Sequence, residues 1–173
     1  MDAIIKRPTW WEWKMKIGFG YDSHRLVGGR SLIIGGMEIP HEKGLLGHSD
    51  ADVLVHAICD AILGAIGEGD MGRHFPDTDQ AYKDISSLKL LRMVGQLADG
   101  KGFVVNNVDS TIVLERPKLM GYTHEMALNI AETIHVAPDM VSVKAKTNEG
   151  MGFVGLSEGV AAFAVVTVKE KIM

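Results

Sequence analysis

The sequence predicts an α+β fold, a mixed α/β sandwich built on one mainly four-stranded sheet with helices packed on one face. Three observations lead to it. Val- and Ile-rich segments open and close the chain, segments with apolar residues at three- and four-residue spacing lie between them, and the final strand is almost wholly apolar. The order read along the chain is β-β-α-α-β-α-β-β. Helices on one face leave the other bare, and association with further copies is the simplest way to cover it.

Residues 1–14 hold all three tryptophans, lack the apolar core of a signal peptide, and read as an extension outside the fold. Residues 15–173 then form a single domain of ordinary size. Lys16 to Tyr21 is the first strand, followed by a loop through Gly28 and Gly29. Ser31 to Ile39 is a second, shorter strand containing Gly35 and Gly36. Ser49 opens a helix that runs to Ile66, with Asp52 three residues on as in a capping box, and Gly67 and Gly69 end it. Asp70 to Ala81, dense in Gly, Pro and Asp, is a loop.

A second helix covers Ile85 to Ala98 through Leu88, Leu91, Val94 and Leu97. Phe103 to Leu114 is a long strand. Pro117 precedes a third helix, Leu119 to Ile134, which stops before Pro138. Val141 to Thr147 and Val160 to Lys169 complete the sheet, the last read as buried on both faces.

Composition narrows the function. Hydrophobic residues are 46% and charged residues 23%, the balance of a globular protein. A net charge of -4 argues against a nucleic-acid partner but leaves room for a small phosphorylated one. Cys59, the single cysteine, cannot form an intramolecular disulfide, and no apolar run reaches the ~20 residues of a membrane span. A cytoplasmic protein without a membrane partner is expected.

Asp22 and His24 stand two apart, so in extended chain both side chains point the same way and can grip one ion. On the first helix, Ser49, Asp52, His56 and Asp60 recur at three- and four-residue steps beside the apolar face through Val53, Ala57, Ile58, Ala61, Ile62 and Ala65. The usual solvating residues, Lys and Glu, are absent before Glu68. Asp60, one turn after His56, is placed to orient its ring. Asp22, His24 and His56 would make a site of two histidines and one carboxylate with an open position, the pattern of a catalytic zinc. A polar, solvated helix face is the competing reading.

His48 sits at the helix start, where free amides favour anions, and has no capping task, unlike Ser49 or Asp50. The loop with His74, Phe75, Pro76, Asp77, Thr78 and Asp79 offers acceptors for sugar hydroxyls. Lys144, Lys146, Thr147, Asn148 and Glu149 end a strand in groups suited to phosphate and a second divalent ion, though alternate lysines also suit a solvent face. Cys59 reads as a core residue.

The segments GFGYDSH, KGLLGHSDADVLVHAICDAILGA, GDMGRHFPDTD, NVDSTIVLERPK and VKAKTNEGMGF, in this order over Met15 to Lys169, resemble the 2-C-methyl-D-erythritol 2,4-cyclodiphosphate synthase family. The resemblance implies that Asp22, His24 and His56 bind Zn²⁺. It implies that His48 and Ser49 contact the methylerythritol phosphate, with His48 helping to stabilise the transition state. Asp70, Met71, Gly72, Phe75, Pro76, Asp77, Thr78 and Asp79 would line the sugar-alcohol and ribose. Leu114, Glu115, Arg116, Pro117, Lys118, Leu119 and Met120 would form the cytidine pocket. Lys146, Thr147, Asn148 and Phe153 would lie near the substrate, Thr147 assisting at the phosphates and Glu149 holding Mg²⁺ or Mn²⁺. A homotrimer with sites between subunits is implied, as is a cytidine diphosphate substrate.

Two positions depart from the family pattern. Leu156 stands where many members carry Arg, and Lys146 where Thr is common. A metal-dependent phosphohydrolase and a non-catalytic trimeric binding protein are the rival readings; the intact set Asp22, His24, His48, His56, Thr147 and Glu149 disfavours the second.

Overall fold

The computed structural model describes residues 14–171. In chain order the elements are β1 (Met15–Gly28), β2 (Leu32–Ile34), β3 (Met37–Ile39), β4 (Lys43–Leu45), α1 (Val53–Ile66), α2 (Met71–His74), α3 (Ser87–Gly100), β5 (Phe103–Val113), α4 (Thr123–Ile134), β6 (Val141–Lys146), α5 (Gly152–Gly155) and β7 (Gly159–Glu170). The main sheet has five strands in the order β4-β1-β7-β5-β6. Only β5 and β6 run parallel, with α4 as their crossover. Four long strands carry the sheet, and β4 adds a three-residue edge. The proposed extension at 1–14 lies outside the described residues except for Lys14, just ahead of β1, which pairs with Glu170 at 2.9 Å.

Several elements differ from the sequence reading. β1 runs on to Gly28, because it pairs with β7 through Arg25 and then with β4 from Leu26 to Gly28. Asp22 and His24 therefore sit within a strand, opposite Ala162 and Val160, and not at its end. Ser31 to Ile39 is a hairpin: Gly35 and Gly36, at φ +61° and +73°, turn the chain so that β2 and β3 pair as a separate sheet. The loop at Asp70–Ala81 contains α2 and a 3₁₀ turn at Gln80–Tyr82, capped by Asp70 and Asp79 respectively. α4 starts at Thr123 and not Leu119; the Arg116–Pro117 peptide ahead of it is cis.

α1 begins after Asp52, whose carboxylate accepts the Val55 amide at 3.1 Å. Ser49 is not the cap; two residues of non-helical chain separate it from Asp52, and Ala51 there has φ +59°. Between Val53 and Ile66 only His56, Asp60 and Gly64 escape burial, a single stripe at four-residue steps. The remaining faces are packed against β1, β7, β5 and α3.

The tightest of these contacts is with β1. A Cβ built on Gly18 would lie 1.7 Å from the Ala61 carbonyl oxygen, and one on Gly20 would lie 1.9 Å from that of Ala57. Backbone therefore meets backbone, and only glycine fits there. Strand alternation does the rest. Gly18 and Gly20 face the helix, with Asp22, His24 and Leu26 continuing that face, while Met15, Ile17, Phe19 and Tyr21 point away and are 58%, 70%, 64% and 45% exposed. The apolar run of β7 predicts burial on both faces, but Phe163 and Val165 are exposed beside that row. The helix-free face of the sheet is thus apolar and open in the single chain.

Candidate metal centre and substrate cavity

β1 supplies Asp22 and His24, and the stripe of α1 supplies His56. One ligand atom from each lies within 4.8 Å of the others. Asp22 Oδ2 is 2.9 Å from His24 Nε2 and 3.0 Å from His56 Nδ1, and the two ring nitrogens are 3.1 Å apart. His24 Nδ1 donates to the Leu46 carbonyl at 2.8 Å, so its Nε2 is turned inward toward Asp22. His56 Nε2 meets Ser87 Oγ at 2.8 Å and Ser49 Oγ at 3.2 Å, leaving Nδ1 inward.

Electrostatics match this geometry. Burial pushes the Asp22 carboxyl up, yet hydrogen bonds and charge from His24 and His56 overcome it and hold Asp22 well below the usual carboxylate range. Burial lowers His24, but the Asp22 carboxylate and the Leu46 carbonyl outweigh it and raise the ring above its ordinary value. Three inward-facing donors, one anionic, crowd one point and call for a shared cation. The set fits a divalent ion of the zinc type, with imidazole and carboxylate ligands and no thiolate.

Asp60 does not hold His56. Its carboxylate accepts the Met71 amide at 2.8 Å instead, and so anchors α2. Burial raises its pKa, helped by the charges of Asp70 and Asp22 and opposed by that amide.

A cavity of about 560 Å³ opens on the triad. His48, Ser49, Asp60, Asp70, Met71, Gly72, Phe75 and Asp77 line it, together with Gly47, Tyr82 and Leu90, which the sequence did not single out. His48 Nε2 donates to the Asp79 carbonyl at 2.9 Å, tying the chain before α1 to the loop after α2. Arg30 reaches in from the hairpin side to donate to the Ser49 carbonyl at 2.8 Å. Phe75 packs edge-on against Tyr82 at 5.3 Å. Pro76, Thr78 and Asp79 belong to the same loop, where Asp79 accepts the Ala81 amide at 2.9 Å.

The other predicted residues form a second group. The Leu114 amide donates to the Lys146 carbonyl at 2.9 Å, and the Asn148 amide to Glu115 at 3.1 Å, joining 114–120 to 146–149. Leu114 and Leu119 are buried there, whereas Met120 is 87% exposed. Thr147 Oγ1 donates to Glu149 at 2.6 Å, and Glu149 has φ +50°. Lys144 pairs with Asp109 at 2.6 Å, whereas Lys146 has no carboxylate partner among the described residues. Phe153 lies with Ser23, His24 and Arg25 in a small cleft. None of Leu114 to Met120, Thr147 or Glu149 lines the cavity at the triad. Ile112 of β5 aligns with Ala162 and hence with Asp22, two strand spacings or about 10 Å away.

No helix among the described residues is long and apolar enough to cross a membrane. Cys59 is buried and free, with burial pushing its thiol well up.

Comparison with known proteins adds the family. A relative from Syntrophus aciditrophicus named 2-C-methyl-D-erythritol 2,4-cyclodiphosphate synthase is 60% identical over 156 residues, 90% of this chain and 98% of its own. The solved structure of IspF from Plasmodium falciparum in complex with CDP matches with a TM-score of 0.80 at 31% identity, over 91% of this chain and 97% of that one. Bifunctional IspDF from Campylobacter jejuni matches with a TM-score of 0.89 at 38% identity over 92% of this chain, which spans 43% of that longer one. The YgbB family model matches residues 15–169, nearly the whole described chain, and the chain belongs to that family.

Proposed function

We propose that the chain converts 4-diphosphocytidyl-2-C-methyl-D-erythritol 2-phosphate into 2-C-methyl-D-erythritol 2,4-cyclodiphosphate, releasing CMP, in non-mevalonate isoprenoid synthesis. The Asp22–His24–His56 cluster opening on a cavity lined by His48, Ser49 and the Asp70–Asp77 loop carries this reading. Membership of a family whose relatives bear the synthase name supports the choice of substrate.

In the step, an oxygen of the 2-phosphate bonds to the β-phosphorus. The bond from that phosphorus to the oxygen bridging the α-phosphorus breaks, and its electron pair leaves with CMP. Both reacting groups are anionic, so the barrier is largely repulsion and alignment. Zn²⁺ on Asp22, His24 and His56, with Mg²⁺ or Mn²⁺ on Glu149, would supply positive charge to the phosphate oxygens.

The chain's own residues do the positioning. Ser49 Oγ accepts the Ala51 amide at 3.1 Å, which leaves its hydroxyl proton for a phosphate oxygen. Asp70 and Asp77 would accept from the sugar hydroxyls, and His48, fixed to Asp79, would face the methylerythritol phosphate. Lys146 and Thr147 would meet the diphosphate. No covalent nucleophile is needed.

The same reading includes a homotrimer in which one subunit presents the metal and its neighbour the cytidine pocket formed by Leu114 to Met120. The open apolar face and the separation of the two residue groups within one chain support it.

Phosphorus NMR of the purified protein with substrate and Mg²⁺, with and without added Zn²⁺, tests the proposal. Stoichiometric CMP and a cyclic diphosphate are expected, with His56→Ala slowed by more than ~100-fold. Linear phosphates from the zinc-loaded wild type would instead establish a hydrolase.

A further inference from the structure

His56 has a second set of partners, on the side of its ring away from Asp22. Its Nε2 lies 2.8 Å from Ser87 Oγ, at the first residue of α3. Ser87 is fully buried. Its hydroxyl donates to Asp50 Oδ1, and its amide donates to Asp50 Oδ2 at 2.9 Å. Asp50 is itself fixed, because its amide donates to the Ile85 carbonyl at 3.1 Å while the Asp84 amide donates to the His48 carbonyl at 2.8 Å. The chain before α1 and the chain before α3 are thus paired backbone to backbone, and the pairing brings Ser87 under His56.

Counting protons decides the direction of each bond. A serine hydroxyl has one hydrogen to give and lone pairs with which to accept. Ser87 commits its hydrogen to the carboxylate of Asp50, so toward His56 it can only accept. The hydrogen between them therefore sits on His56 Nε2, which leaves Nδ1, 3.0 Å from Asp22 Oδ2, as the ring atom turned toward the ion site. The charge of Asp50, passed through the Ser87 dipole, also makes the ring a better electron donor at Nδ1. An outer carboxylate reached through a hydroxyl takes the part that the sequence assigned to Asp60.

We infer that Ser87 and Asp50 are positioning residues for the metal centre: they keep a hydrogen on His56 Nε2 and aim its Nδ1 at the ion. The consequence for metal rests on the reading of Asp22, His24 and His56 as ligands. The contact of Nε2 with Ser87 is present without the ion.

Two measurements test this. In metal-free wild-type protein labelled with ¹⁵N-histidine at pH 9, His56 is expected to carry its hydrogen on Nε2; a His56 with Nε2 bare overturns the inference. In zinc titrations against a competing chelator, Ser87→Ala is expected to bind 10- to 100-fold more weakly, roughly the loss seen when an outer partner of a ligand histidine is removed. Ser110→Ala is the control, since Ser110 is equally buried and donates to the Ser142 carbonyl at 2.9 Å on β5, outside the site. It should lose stability but keep zinc affinity within about twofold. Wild-type affinity in Ser87→Ala, or an equal loss in Ser110→Ala, overturns the inference. Wild-type protein that binds no zinc sinks the metal reading itself, and the nitrogen spectrum then still decides the tautomer.

Discussion

Asp52 is a fully buried carboxylate placed where its hydrogen bonds and its burial pull in opposite directions. It accepts the Gly36 amide at 2.7 Å and the Val55 amide at 3.1 Å, so it caps α1 and ties the β2–β3 hairpin to it. Burial is the larger effect; with the nearby charge of Asp50, it outweighs the amides and pushes the carboxyl from 3.8 up to about 6. The folded state then holds more protons than the unfolded one between those values, so this group costs stability as pH rises through them. Asp52→Asn cannot ionise. The variant's unfolding free energy in urea, minus that of the wild type, should rise by about 2 kcal/mol between pH 4 and pH 7. A difference that stays flat with pH would mean that Asp52 is not protonated in the folded protein. Nothing in the sequence distinguishes this aspartate from Ser49 as a cap; the left-handed turn at Ala51 decides, and it is a tertiary fact.

At the scale of elements, the contact of β1 with α1 is the critical one. Gly20→Ala would drive a methyl group into the Ala57 carbonyl, where the obstacle is backbone and cannot rotate aside. Overpacking of this kind costs about 1–3 kcal/mol and more where an element must shift. Thermal unfolding should show a clear loss of stability, and zinc affinity should fall with it as His56 moves from Asp22. Gly64→Ala, with open space at its Cβ on the same helix, is the control and should raise helix stability slightly.

The elements also show what sequence can and cannot tell. α1 was legible because its stripe of polar residues contrasts with apolar surroundings. β1 was read as ending at Tyr21 because Asp22, Ser23, His24 and Arg25 look like a loop; its partner β7 holds them extended. β2, β3 and β4 are three residues each, too short for alternation to register.

For the whole molecule, the open face of the sheet is the dominant feature. Ile17, Phe19 and Tyr21 stand beside Phe163 and Val165, and the rings of Tyr21 and Phe163 lie 5.1 Å apart. A row of this size on one face calls for cover. Phe19→Glu should leave subunits that sediment as monomers and no longer release CMP, yet still bind zinc, because all three ligands come from one chain. Monomers with full turnover would overturn the shared-site arrangement. The triad itself was legible, since a two-residue spacing on a strand and one helix stripe are both local patterns. Ser87, Asp50, Leu46, Tyr82 and Leu90 were not, because pairing between distant segments brings them to the site.

The glycine seam has one more effect. The distance between the strand that carries two ligands and the helix that carries the third is defined by peptide atoms in contact, with no side chain interposed as a spacer. Side chains deeper in the core can be exchanged, and the helix can settle differently on β7 or α3, while the bite of the three ligands keeps its width. Coordination geometry is in this way insulated from the composition of the interior.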